Sequence, residues 1–179
     1  MIAGGRLNSR KVHVIQGEHH VSDDPEVMLT TVLGSCVSAC LHDPVAGLGG
    51  MNHFLLADAG AGGDSEAVRY GAYAMEVLIN SLLKRGAARG RLQAKVFGGA
   101  RMFDGLSDVG AGNARFIRGF LEVEAIPLIS ESLGGLTARR VEFWPATGRA
   151  RVRHATAEPV EIPAARRPQP APIGDVELF

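Results

Sequence analysis

The sequence predicts a single α+β domain of layered, mixed β-sheets with two main amphipathic helices flanking the core. Three observations predict it. Short β-branched and apolar runs recur along most of the chain, two longer stretches place apolar residues at helical spacing, and 46% hydrophobic against 21% charged residues in a chain of 179 is enough for one buried core but short for two.

Residues 11–15 and 27–32 are short, β-branched and strand-like, and the polar stretch 17–25 between them has the composition of a connecting loop. After Gly34-Ser35 the small apolar run 36–42 reads as a strand that stops at the turn signal Asp43-Pro44, and residues 48–56 return as another. Residues 60–64 are glycine-rich and loop-like. Ser65 is placed to cap a helix over 66–85, whose Val68, Ala72, Met75, Leu78, Ile79, Leu82 and Leu83 recur on one face and which Gly86 ends. Residues 92–97 predict a buried strand ending at Gly98-Gly99. A second amphipathic helix follows over 111–122, with Phe116, Ile117, Phe120 and Leu121. Residues 127–132, 140–144 and 149–153 supply the remaining strands, the last two joined by the hairpin turn 145–148. The domain is expected over 11–154. Beyond it, Pro159, Pro163, Pro168, Pro170 and Pro172 mark 155–179 as a flexible tail, with the acidic and apolar Asp175-Val176-Glu177-Leu178-Phe179 as a candidate docking tip.

The formal net charge is zero, which gives no signal for a nucleic-acid partner or an electrostatically held membrane. Nothing near the N-terminus reads as an export signal, and no apolar run has the length of a membrane span, so a cytoplasmic protein without membrane insertion is expected. The two cysteines, Cys36 and Cys40, lie four positions apart on one predicted strand. That separation is long for a disulfide, and reduced thiols are expected. No zinc-type spacing of cysteine and histidine is present, and His19-His20 reads as a solvated pair.

A cysteine in an apolar strand is by base rate a small buried hydrophobe, and Cys40 fits that description. Cys36 differs because it follows Leu33-Gly34-Ser35, a bend that presents a sulfur and backbone N–H groups at a sheet edge. A thiol attacks an amide as thiolate and needs a neighbouring base. Of six histidines, His53 lies in the strand after the Asp43-Pro44 turn, where antiparallel pairing brings it toward Cys36. A hydrogen-bonded core histidine is the commoner case and stays open for His53, as it does for His13 and His42.

The ordered set Thr30-Thr31-Val32-Leu33-Gly34-Ser35-Cys36-Val37, Asp43-Pro44, Gly49-Gly50-Met51-Asn52-His53, Arg69-Tyr70-Gly71, Lys95-Val96-Phe97-Gly98-Gly99-Ala100, Asn113, Gly134-Gly135 and Thr147-Gly148 resembles the CheD family of chemoreceptor glutamine deamidases over residues 12–152. The resemblance implies a protein-glutamine glutaminase with Cys36 as nucleophile, His53 as base and Thr30 orienting the imidazole. Thr31 is the adjacent competitor, which strand alternation sends to the other face. Gly34, Ser35 and Asn52 are oxyanion or substrate-pocket candidates, and no metal or organic cofactor is implied. The implied partners are the cytoplasmic helices of methyl-accepting chemotaxis receptors and a CheC-type phosphatase. Alternatives are a non-catalytic chemotaxis adaptor and a thiol redox sensor using Cys36 and Cys40. One departure and one charged face bear on substrate contacts. Leu136-Thr137-Ala138-Arg139-Arg140 leaves the role of Arg139 open, while Arg149, Arg151 and Arg153 share one strand face.

Overall fold

Alternating small and large apolar residues build two sheets in the computed structural model, which describes residues 10–56, 65–102 and 108–155. The first sheet has the order β1 (Arg10–His13), β3 (Val27–Leu33), β8 (Arg139–Trp144), β9 (Arg149–His154), with β1 parallel to β3 and the rest antiparallel. The second runs β2 (His19–Ser22), β5 (Leu48–Asn52), β4 (Val37–Asp43), β6 (Gln93–Gly98), β7 (Leu128–Leu133), with β6 and β7 parallel across the helix between them. Helices α1 (Ser65–Lys84) and α2 (Val109–Val123) pack on the second sheet, giving a helix layer, a five-stranded sheet and a four-stranded sheet.

Period-two alternation sorts β4 between two cores. Val37, Ala39 and Leu41 join Met75, Leu78, Ile79 and Leu82 of α1 and Ile117 and Leu121 of α2. Cys40 faces the other way, into a cluster with Met51, Phe97, and Leu29, Leu33, Val141 and Phe143 from the opposing sheet. Each fully buried leucine or isoleucine contributes roughly 1.5–3 kcal/mol by area, so the apolar stripe of α1, buried at Met75, Leu78, Ile79 and Leu82, anchors it. The helix stops where Ala87 N–H donates to the Leu82 carbonyl, past Gly86.

Two expectations need correction. The stretch 17–25 is not all loop, because His19–Ser22 pairs antiparallel with Asn52–Gly49 as an edge strand. Ladder hydrogen bonds hold an edge strand without an apolar run, so His-His-Val-Ser left no hydrophobic signature. The strand expected over 48–56 ends at Asn52, because the His53 backbone turns its N–H to Glu18 and its carbonyl to Gly17, and only Phe54 returns to bridge Val37. The predicted loop at 60–64 and most of the tail lie outside the described residues. Among the described residues, no helix is long and apolar enough to cross a membrane.

Candidate active site

Cys36 sits where the chain leaves β3 and enters β4, and backbone bonds from Gly99-Ala100 together with a side chain of α2 clamp this bend. Ala100 N–H donates to the Gly34 carbonyl at 2.8 Å and Gly99 N–H to the Cys36 carbonyl at 2.8 Å. Gly98 permits that approach: it has φ +110°, and a Cβ there would stand 2.1 Å from the Cys36 oxygen. The third carbonyl of the bend, Ser35, accepts from Asn113 Nδ2 at 3.0 Å, while Asn113 Oδ1 accepts from Leu56 N–H at 2.8 Å. A fully buried asparagine of α2 therefore ties together the strands leading to Cys36 and away from His53. Gly34 does not need a left-handed backbone for the bend; its lack of a side chain makes room for Met102, whose Cγ would lie 3.0 Å from an added Cβ.

The Cys36 thiol is half-buried, and burial pushes its pKa up, an effect its own backbone N–H opposes. The resting sulfur is thus a protonated thiol, and it donates to Gln16 Oε1 at 3.5 Å. In the register set by the Val37–Phe54 bridge and the Cys40–Met51 pair, Cys36 and His53 project from the same sheet face as diagonal neighbours. Such neighbours in a regular antiparallel pair are about 7–8 Å apart, with side chains closer.

His53 is 7% exposed and held on several sides. Its Nδ1 lies 3.2 Å from the Val14 carbonyl and 2.9 Å from Thr31 Oγ1. A carbonyl can only accept, so Nδ1 carries the hydrogen and the neutral ring presents an unprotonated Nε2. That Nε2 has no partner among the described residues. Burial lowers the His53 pKa, with the Val14 contact opposing, so the ring is a neutral base near pH 7. This tautomer is the one a general base for the thiol requires.

The threonine beside His53 is Thr31, not the expected Thr30. Thr30 Oγ1 donates instead to the Val141 carbonyl at 2.9 Å. Alternation decides this: Val27, Leu29, Thr31 and Leu33 form the face toward the second sheet, whereas Thr30 shares the opposite face with Val32, which is 51% exposed. Asn52 lines the cavity that borders His53. Its carboxamide accepts from Ala39 N–H at 2.9 Å and donates to Ala74 O and Met75 Sδ, on the helix side of the sheet and away from Cys36. Arg139 is 2% exposed and donates to Ser132 and Gly134, bracing the glycine turn before β8. Arg149 and Arg151 lie 5.3 and 5.6 Å from the Trp144 ring, and Arg151 also pairs with Glu142.

Sequence reasoning passed over Gln16 and gave Asn113 no role. Gln16-Gly17 carries a turn signal, and Asn113 falls one helical turn before Ile117 on the buried stripe of α2. A cavity of about 230 Å³ borders His53, lined also by Gly17, Glu18, Tyr70 and Tyr73. A larger groove of about 590 Å³ begins at Gly99 and Gly134 and runs beside Ala111, Arg115 and Arg118 of α2. Both cysteines are free, and among the described residues no three His, Cys, Asp or Glu side chains are grouped to hold a metal ion.

The family model described as CheD chemotactic sensory transduction matches residues 55–154. A relative from Caulobacter vibrioides (strain NA1000 / CB15N), named "Probable chemoreceptor glutamine deamidase CheD", is 62% identical over 177 residues, covering 94% of this chain and 93% of its own. One of the same name from Agrobacterium fabrum is 53% identical over 176 residues, covering 96% and 97%. Among solved structures, Neisseria meningitidis protein NMB0706 aligns with TM-score 0.46 at 10% identity over 73% of this chain and 64% of its own. On the family model and these relatives together, the chain belongs to the CheD family.

Proposed function

We propose that this chain is a chemoreceptor glutamine deamidase, converting glutamine side chains of chemoreceptors to glutamate with release of ammonia. The observation that carries the chemistry is His53, whose Nδ1 is fixed by Val14 and Thr31 while its Nε2 stays free on the face of Cys36.

In this reading, His53 Nε2 takes the Cys36 proton as the sulfur attacks the glutamine Cδ, and backbone N–H groups at the Ser35-Cys36 bend stabilise the developing oxyanion. The C–N bond breaks, with His53 protonating the departing ammonia. Water, deprotonated by the same nitrogen, then hydrolyses the thioester to glutamate and restores the thiol. Thr31 is the positioning residue for the imidazole, the role expected of Thr30. The acyl transfer uses the thiol, the imidazole and water, and calls on no metal or organic cofactor. Residues 11–154 form the catalytic domain and 155–179 the tail. A receptor helix approaches Cys36 along the groove between Gly99 and α2, and a CheC-type phosphatase competes for that side; a cytoplasmic location follows from the receptor face addressed.

Mass spectrometry of receptors co-expressed with this chain tests the reading. Amide-to-acid conversion at defined glutamines that vanishes with Cys36→Ala supports it. Receptors left unmodified by the wild-type chain would leave an adaptor role in its place.

A further inference from the structure

The side chain touching the nucleophilic sulfur is itself a glutamine. Gln16 belongs to a tight turn in which Glu18 N–H donates to the Ile15 carbonyl at 3.0 Å and Gly17 has φ +89°, the signature of a type II turn with glycine at its third position. The turn is bound to His53 itself: Gly17 N–H donates to the His53 carbonyl at 2.8 Å, His53 N–H to the Glu18 carbonyl at 3.1 Å, and the preceding Val14 carbonyl receives the imidazole. Gln16 is therefore held in fixed relation to the candidate base as well as to the thiol. Its carboxamide oxygen, 3.5 Å from Cys36 Sγ, accepts the thiol hydrogen.

From this geometry we infer that Gln16 is an internal stand-in for the substrate, a primary carboxamide covering Cys36 that an incoming receptor glutamine must displace. The inference rests on the reading of Cys36 as nucleophile. The oxygen of Gln16, rather than its carbonyl carbon, meets the sulfur, so the contact is a resting hydrogen bond and not an attack geometry. Accepting from S–H favours the protonated thiol. Covering the sulfur also limits its contact with solvent electrophiles. Displacement removes both effects, and the thiol gains reactivity only when a second carboxamide is present.

The test is the rate of Cys36 alkylation by iodoacetamide, read by peptide mapping in the full chain across pH, for wild type, Gln16→Ala, Gln16→Met and Gln16→Glu. Gln16→Ala is expected to alkylate about 3- to 10-fold faster at pH 7, the loss of one modest hydrogen bond together with its cover. Gln16→Met, which keeps bulk but no strong acceptor, falls between, and Gln16→Glu is slower than wild type because a carboxylate disfavours the thiolate. With a receptor substrate, Gln16→Ala lowers KM more than it changes kcat. Alkylation rates of the alanine and glutamate variants within twofold of wild type at every pH overturn the inference. Deamidation persisting in Cys36→Ala overturns instead the nucleophile assignment, and the alkylation rates are read without any turnover, so the two failures are separable.

Discussion

Cys36 and Cys40 pack toward one apolar cluster, yet their surroundings are opposite. Cys40 lies in mid-strand between Met51 and Lys95, is 1% exposed, and burial drives its thiol pKa far up. Cys36 lies just before the strand, where Gly98, Gly99, Ala100 and Asn113 hold the backbone from outside the β4–β5 ladder and leave the thiol half-buried beside the turn that grips His53. The difference teaches that a thiol's exposure here comes from its place at the end of the ladder and not from residue type. Where β4 is regularly paired the sulfur is sealed, and where loops take over the carbonyls it reaches the surface.

Exchanging each cysteine gives the sharpest contrast. Cys36→Ala should lower deamidation by roughly 10³-fold or more with little loss of stability, whereas Cys40→Ala should cost about 1–2 kcal/mol in chemical denaturation and leave kcat near wild type. Equal losses of turnover would erase the distinction.

The sealed end of β4 closes on Asp43, fully buried, whose carboxylate accepts from the Val45, Ala46 and Ala88 N–H groups and pairs with Arg91 at 2.8 Å. Asp43→Ala should cost roughly 3 kcal/mol by leaving those donors unpaired. The Arg91 guanidinium, with the three backbone donors behind it, holds the Asp43 carboxyl below its ordinary 3.8 despite burial. Its contribution is therefore complete above pH 3.8 and is lost as pH falls below that value. Denaturation midpoints measured from pH 6 downward should thus converge for wild type and Asp43→Ala at low pH; a constant gap would contradict the assignment.

On the reactive side, Thr31→Ala should reduce kcat about tenfold through loss of one hydrogen bond to the imidazole, and Thr30→Ala less than about twofold. The reverse order would restore Thr30. The smallest expected effect is on the pH profile. Because burial lowers the His53 pKa from 6.5, the acidic limb of kcat/KM should have its midpoint below 6.5, and a midpoint above it would mean that another group supplies the base.

The pattern of apolar residues in the sequence told which segments become strands and helices, since α1, α2 and the long strands owe their burial to it. It could not show β2, which pairs with β5 and touches α1 without an apolar run of its own. Cys36 and His53 were legible because the bend at Gly34-Ser35 and the return after Asp43-Pro44 are local signals. The threonine beside the imidazole was not. Val27 to Leu33 is apolar on both faces, with Met28 buried at 3% and Leu29 at 0%, so the pattern alone leaves open which face meets the second sheet. Asn113 and Gln16 were hidden for a related reason: their partners lie 78 and 20 residues away, and only the fold joins them.

Rapid quenching of the chain with a receptor fragment, followed by peptide mapping, tests the central claim most directly. The account predicts a transient thioester on Cys36, formed with loss of ammonia and absent from Cys40. Turnover without an adduct on Cys36, persisting in Cys36→Ala, would contradict it.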